Sequence, residues 1–166
     1  MIELRLLDAA DHEAVFAVEQ AAFGREDEAR LVDALRGKEE MDFECVACAH
    51  GRVIGHIAFS PLLLERGGEA LRGSALAPLA VAPEWQKKGV GAALVRMGLE
   101  FCASRGVDVV VVVGEPGYYA RFGFDAEAGR LIEAPFPYPY LQVAELTDGA
   151  LSGGGWKAVY ASSFGL

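Results

Sequence analysis

The chain has 166 residues, 52% of them hydrophobic, and a formal net charge of −9. That length suits one domain, spanning 1–166, with a core of its own, and the apolar fraction excludes a disordered chain. The acidic balance argues against nucleic acid as the main partner, because phosphate contacts need clustered Lys and Arg; a cationic amine is the better match to such a surface. No apolar run approaches the ~20 residues of a membrane span. Residues 1–5 show no basic region followed by an apolar run, so no membrane association and a cytoplasmic location are expected. Cys45, Cys48 and Cys102 are an odd set, which does not suggest a disulfide framework. Cys45 and Cys48 fall three apart in a run that reads as a strand, so they point to opposite faces and no metal site is expected.

The first strand is expected over 2–7, where apolar and polar residues alternate. Asp8 or Asp11 can cap a helix running to Phe23, with Val15, Val18 and Ala22 as its buried stripe and Gly24 as its stop. A second helix is expected over 27–36, with Leu31 and Leu35 one turn apart. Glu26, Asp27 and Glu28 suit its N-terminus. Strands over 43–49 and 52–64 are joined by the turn His50-Gly51, and the next strand covers 70–81. Pro78 within it marks an edge or a bulge, because proline cannot donate to a ladder. A helix over 89–105 presents Val90, Leu94, Met97 and Phe101, widened by Val95, Gly98 and Cys102. The valine run 107–113 reads as a strand buried on both faces, and strand–helix–strand in this order implies a right-handed crossover between parallel strands. A short helix over 118–121 stops at Gly123. The segment 134–140, which alternates proline with aromatic residues, is extended and stiff. The last strands are expected over 140–146 and 156–162.

Between the strand ending at Val81 and the helix lies Gln86-Lys87-Lys88-Gly89-Val90-Gly91-Ala92. Backbone N–H groups at a helix start have no partner within the helix and can bind an anion. Gly89 and Gly91 let a large anionic group approach the backbone, and Lys87 and Lys88 add positive charge. The loop lacks the Gly-Lys-Ser/Thr ending of a P-loop, and Leu94 takes the place of the third glycine of a dinucleotide fingerprint. An ordinary strand–turn–helix with flexible glycines is the plain alternative. The pattern Gln-x-x-Gly-x-Gly, with the strand before it and the helix after it, resembles motif A of the GNAT N-acetyltransferase superfamily. That resemblance implies an α/β (α+β) fold: a mixed central sheet with a splayed parallel strand pair and helices on both faces. It implies acetyl-CoA as cofactor, with the pyrophosphate on the backbone of Gln86, Lys87, Lys88, Gly89, Val90, Gly91 and Ala92. The pantetheine arm would pair with Leu79, Ala80 and Val81, with a nearby backbone N–H stabilising the oxyanion. The region of Glu26, Asp27 and Glu28 would line the acceptor site.

Tyr118-Tyr119, followed by Arg121-Phe122-Gly123-Phe124, resembles GNAT motif B and puts Tyr119 in the general-acid position. A phenol with an ordinary pKa near ~10 is protonated at neutral pH and can supply the proton a leaving thiolate needs. Many relatives carry an asparagine after the valine strand, where this chain has Gly114-Glu115-Pro116, so the side-chain contact to the cofactor arm is not carried over. Glu115, Glu26 and His56 are the candidate bases, beside a water relay. The expected activity is acetyl transfer to a primary amine of a small molecule or peptide, by direct attack in a ternary complex, in a monomer or homodimer. A non-catalytic acyl-CoA-binding or sensing module and a domain that binds no nucleotide are the rival readings; fold analogy does not separate them.

Overall fold

The computed structural model describes residues 1–166. Eight strands form one sheet: β1 (Ile2–Leu6), β2 (Phe43–Ala49), β3 (Arg52–Arg66), β4 (Glu69–Val81), β5 (Val109–Val113), β6 (Ile132–Glu133), β7 (Leu141–Glu145) and β8 (Trp156–Tyr160). The main path runs β1-β2-β3-β4-β5-β7, and β8 pairs with β3 and β6. Three helices are long: α1 (His12–Phe23), α2 (Asp27–Gly37) and α3 (Val90–Ser104). Two are single turns, α4 (Pro116–Tyr119) and α5 (Ala126–Gly129). The long elements fall where periodicity places them. No helix is long and apolar enough to cross a membrane. The chain divides into two compact units, Met1–Ser60 with Ala77–Gly98, and Pro61–Leu76 with Leu99–Leu166.

In the first unit the alternation along β3 decides which helix meets which face. A Cβ on Gly55 would touch Leu94 and Val90, so this face carries α3. The next residue, His56, points the other way and bonds Glu19 of α1. Helices therefore cover both faces, as expected of a strand pair with few exposed positions. On the α1–α2 side Val15, Val32 and Val46 form a core, with Leu7, Met41, Cys48 and Val53 packed around them. On the α3 side Phe43 and Phe59 stack 4.7 Å apart.

Details of these helices differ from the expected stripes. Asp8 caps a 3-10 turn over Ala9–Asp11 through the amide of Ala10, and Asp11 returns a bond to the amide of Asp8. The Arg5 guanidinium grips Asp11 with two bonds of 2.7 and 3.0 Å and holds its carboxyl below the usual range. In α1 Val15 and Val18 are buried as expected, but so is Glu19. In α2 the buried face is Ala29, Val32 and Leu35, with Leu31 half-exposed. In α3 Met97 and Phe101 are half-buried, and the buried residues are Val90, Ala92, Leu94, Val95, Gly98 and Cys102. Large side chains reach over a neighbouring turn, so the buried arc is centred a position away from where spacing alone puts it.

In the second unit, β4 and β5 are parallel over Gly73–Ala75 and Val109–Val111 only. β5 is antiparallel to β7 over its full length. Pro78 lies three residues past the last β4 residue paired with β5, so this strand, interior in the sheet order, has no β5 partner where the proline sits. The core gathers Leu62, Leu64, Val109, Val111, Leu141, Val143, Leu151 and Trp156. Asp108 opens β5 as a structural joint: its carboxylate accepts from the Arg72 amide at 3.1 Å and the Thr147 hydroxyl at 3.1 Å. The Pro/aromatic segment 134–140 packs its Phe136 against Tyr160, ring centroids 5.8 Å apart, and leaves Tyr138 and Tyr140 exposed.

Candidate active site

The glycine loop and the strand that feeds it lie together in the first unit. After a 3-10 turn at Pro83–Trp85, the backbone takes positive φ at Lys87 (63°) and Gly89 (85°). Lysine in that region costs about 1 kcal/mol, a strain that points to a use for the conformation. A side chain added at Gly89 would meet nothing within 4 Å, so the space in front of the backbone is open. The first helical bond of α3 runs from Ala93 to the carbonyl of Gly89. The amides of Val90, Gly91 and Ala92 are therefore without helical partners. No acid occupies the first turn to oppose an anion. Lys87 and Lys88 are exposed, the latter with its ammonium 5.3 Å from the centre of the Trp85 ring. The side chains of Val90 and Ala92 are buried and anchor the helix start to the core.

Gln86 has a specific task. Its amide nitrogen donates to the carbonyl of Val81 at 3.0 Å, tying the loop's start to the end of β4. One lone pair of that carbonyl is therefore engaged before any ligand arrives. Ala82 is fixed in turn by its N–H to the carbonyl of Ile54 at 2.8 Å. Leu79 and Val81 are half-buried and Ala80 is buried.

Tyr119 belongs to the second unit, at the end of α4. Its ring meets Tyr118 edge-on at 4.9 Å, Phe124 at 5.7 Å and Phe122 at 6.5 Å. It also lies so close to Gly114 that a Cβ there would sit 2.6 Å from the ring. That contact explains why the position after the valine strand has no side chain. Burial, and secondarily Tyr118, push the Tyr119 phenol up to about 12. The hydroxyl is thus fully protonated at neutral pH and able to donate.

The candidate bases fare unevenly. Glu26 is held by Arg30, with bonds of 3.0 and 2.5 Å, and Glu28 by Arg25, with bonds of 3.0 and 2.5 Å. Glu26 and Glu28 are thus neutralised by neighbours, and the third acid of the α2 start, Asp27, is exposed with Arg25 4.0 Å away. Glu115 is exposed at the start of α4. His56 is fully buried, with Nδ1 2.6 Å from Glu19 and Nε2 2.8 Å from Glu44. Arg36 reaches the same Glu44 carboxylate through two bonds of 2.8 and 2.7 Å. Carboxylates only accept, so two N···O contacts require two protons among the three groups. The trio carries one net negative charge, balanced by Arg36. Burial opposes the imidazolium, and the bonds to Glu19 and Glu44 outweigh it and raise the His56 pKa. Burial raises Glu19, whereas on Glu44 burial is overcome by the bonds from His56 and Arg36, which lower it. With both ring nitrogens engaged, His56 has none to offer a substrate.

Spacing held a signal for this cluster. Glu19 falls on the apolar stripe of α1, one turn after Val15. Glu44 and His56 are the charged or polar interruptions of two adjoining strands, on the same face once Glu44↔Ala58 and Val46↔His56 are paired.

Residues 3–126 match an acetyltransferase (GNAT) domain model. The chain is 36% identical over 137 residues, 81% of its length and 76% of the relative's, to YjhQ of Escherichia coli K12, described as an uncharacterized N-acetyltransferase. It is 35% identical over 146 residues to YhbS of the same organism, similarly described, covering 86% of each. The crystal structure of Escherichia coli YhbS in complex with CoA superposes with a TM-score of 0.89 at 32% identity, over 99% of this chain and 92% of that one. A GNAT family acetyltransferase from Brucella melitensis in complex with acetyl-CoA superposes with a TM-score of 0.81 at 31% identity, over 99% and 98%. With the match spanning most of its length and the glycine loop in place, the chain belongs to the GNAT family of acetyltransferases.

Proposed function

We propose that this acetyltransferase moves an acetyl group from acetyl-CoA to a primary amine by direct attack in a ternary complex, working as one domain over 1–166. The observation that carries the reading is the loop: positive φ at Lys87 and Gly89, three amides free at the start of α3, and open space before them. The CoA and acetyl-CoA complexes of the YhbS and Brucella proteins support the same ligand here.

The amides of Val90, Gly91 and Ala92 hold the pyrophosphate, and Lys87 and Lys88 screen its charge. Gln86 keeps the loop closed on β4, and the backbone of Leu79, Ala80 and Val81 pairs with the pantetheine arm. β4 has no β5 partner past Ala75, so that side of the strand is not used by the ladder. The cofactor supplies a thioester: the amine nitrogen bonds to the acetyl carbon and the carbon–sulfur bond breaks. Tyr119 gives its phenolic proton to the departing sulfur. The proton released by the attacking amine leaves through water and restores the phenol.

A calorimetric titration with acetyl-CoA and with CoA tests the loop. Thiol release from acetyl-CoA, with a panel of an aliphatic diamine, an amino sugar and a peptide with a free N-terminus, tests the reaction. Binding with amine-dependent thiol release is the expected result. Binding without turnover on any amine would favour a sensing module, and no binding by the folded protein would overturn the loop assignment.

A further inference from the structure

Gln142 is a polar residue in the core of the second unit, 1% exposed, on β7 between Leu141 and Val143. It sits opposite Val112 of β5. Its amide nitrogen donates to the carbonyl of Gly114 at 3.0 Å and to the carbonyl of Tyr140 at 3.3 Å. The Gly114 amide donates to the same Tyr140 carbonyl at 3.1 Å. Three bonds thus tie the residue leaving β5 to the residue entering β7, just past the last ladder pair, Val113↔Leu141. Bridging two carbonyls takes two hydrogens on one uncharged group, which a side-chain amide has. A valine would fill this core position without the desolvation an amide carries.

The tie ends at a backbone position that lies against the proposed general acid. Gly114 is the floor under the Tyr119 ring, at a distance that leaves no room even for a methyl group. The aromatic neighbours of that ring are Tyr118, Phe122 and Phe124, side chains that pack against it but offer no directional bond to the backbone. We propose that Gln142 is a positioning residue for acetyl transfer: by fixing Gly114 it sets the height of the Tyr119 ring and so the place of its hydroxyl. This rests on Tyr119 being the general acid. A shift of about 1 Å at such a group costs about 10²-fold in rate.

The test is a double-mutant cycle on kcat, read as thiol release at saturating acetyl-CoA with the panel amine of highest turnover. Gln142→Met keeps length and removes both donors. It is expected to lower kcat about 10- to 100-fold, to leave the calorimetric affinity for acetyl-CoA unchanged, and to cause no further loss in a Tyr119→Phe background. Gly114→Ala, whose added methyl displaces the ring directly and leaves Gln142 in place, is expected to give the same pattern and serves if Gln142→Met does not fold. Equal further losses in the Tyr119→Phe background would overturn the positioning role while leaving Tyr119 as the acid. Wild-type turnover in Gln142→Met would do so too. Wild-type turnover in Tyr119→Phe itself would overturn the assignment of the acid, and the inference with it.

Discussion

Replacing His56 with phenylalanine removes the donor to two buried carboxylates, and their fates differ. Glu44 keeps both bonds from Arg36. Glu19 keeps nothing, since its other oxygen is already buried without a partner. The variant therefore holds one uncompensated buried carboxylate, a defect of about 3–5 kcal/mol. Glu19 can escape by taking a proton. At pH 7 that costs about 3 kcal/mol for a carboxyl whose ordinary value is 4.5, so the penalty settles at the lower end. The pH dependence follows from linkage. In the native chain the raised His56 contributes fully below its ordinary 6.5 and is lost only as pH rises through its folded value. In the variant Glu19 keeps the burial that raises it and loses the His56 bond that opposes the rise, so its contribution is full below 4.5 and is lost from there upward. The gap between the two proteins accordingly opens across pH 4.5 to 6.5, by up to about 1.4 kcal/mol per pH unit, and runs parallel above. Urea unfolding followed by tryptophan fluorescence at a series of pH values measures it, with m of about 1–3 kcal/mol/M. A His56→Phe protein within about 0.5 kcal/mol of the native one at pH 7, or a gap that stays constant from pH 5 to 6.5, would refute the account. Adding Glu19→Met to the variant should recover most of the loss, because an apolar set of similar volume satisfies the same space.

Gly89→Val forces a branched side chain to φ 85° and covers the α3 amides; it should weaken acetyl-CoA binding at least 10-fold by calorimetry, at about 1–2 kcal/mol of stability, and unchanged affinity would remove the loop from the site. Tyr119→Phe should lower kcat about 10²-fold with the acetyl-CoA dissociation constant unchanged. Because the phenol is pushed up to about 12, the kcat–pH profile of the native protein should show no loss of Tyr119's proton below about pH 11. Asp108→Ala removes the joint to Arg72 and Thr147 and should cost about 1 kcal/mol in urea unfolding with no change in acetyl-CoA affinity.

The loop was readable because its chemistry is written in consecutive residues: glycine at 89 and 91, lysine at 87 and 88, a strand before and a helix after. The bracing by Gln86 was not, since a glutamine five residues from Val81 reaches its carbonyl only once the 3-10 turn has folded the segment back. Glu19, Glu44 and His56 were each visible as polar interruptions, yet their meeting depends on how α1 lies on the sheet, which no local pattern fixes. Gln142 is harder still. Its partners Gly114 and Tyr140 become neighbours only through the β5–β7 pairing, and its link to Tyr119 depends on a missing side chain at 114. α5 and β6, of four and two residues, are too short to leave a period.

Lys87 and Lys88 enter no ion pair, and they stand on a chain of net charge −9. The two signs act over different ranges. Beyond about 8 Å at physiological salt the field of an isolated lysine pair is screened, and at low salt an approaching polyanion meets the repulsion of the whole acidic body before it meets the loop. Added salt then works in opposite directions on the two stages of the encounter, easing the approach and loosening the final hold. An association rate that rises with ionic strength, while the residence time falls, is the kinetic mark of a small cationic landing place on an acidic protein. An equilibrium constant taken at one salt concentration would conceal both halves of it.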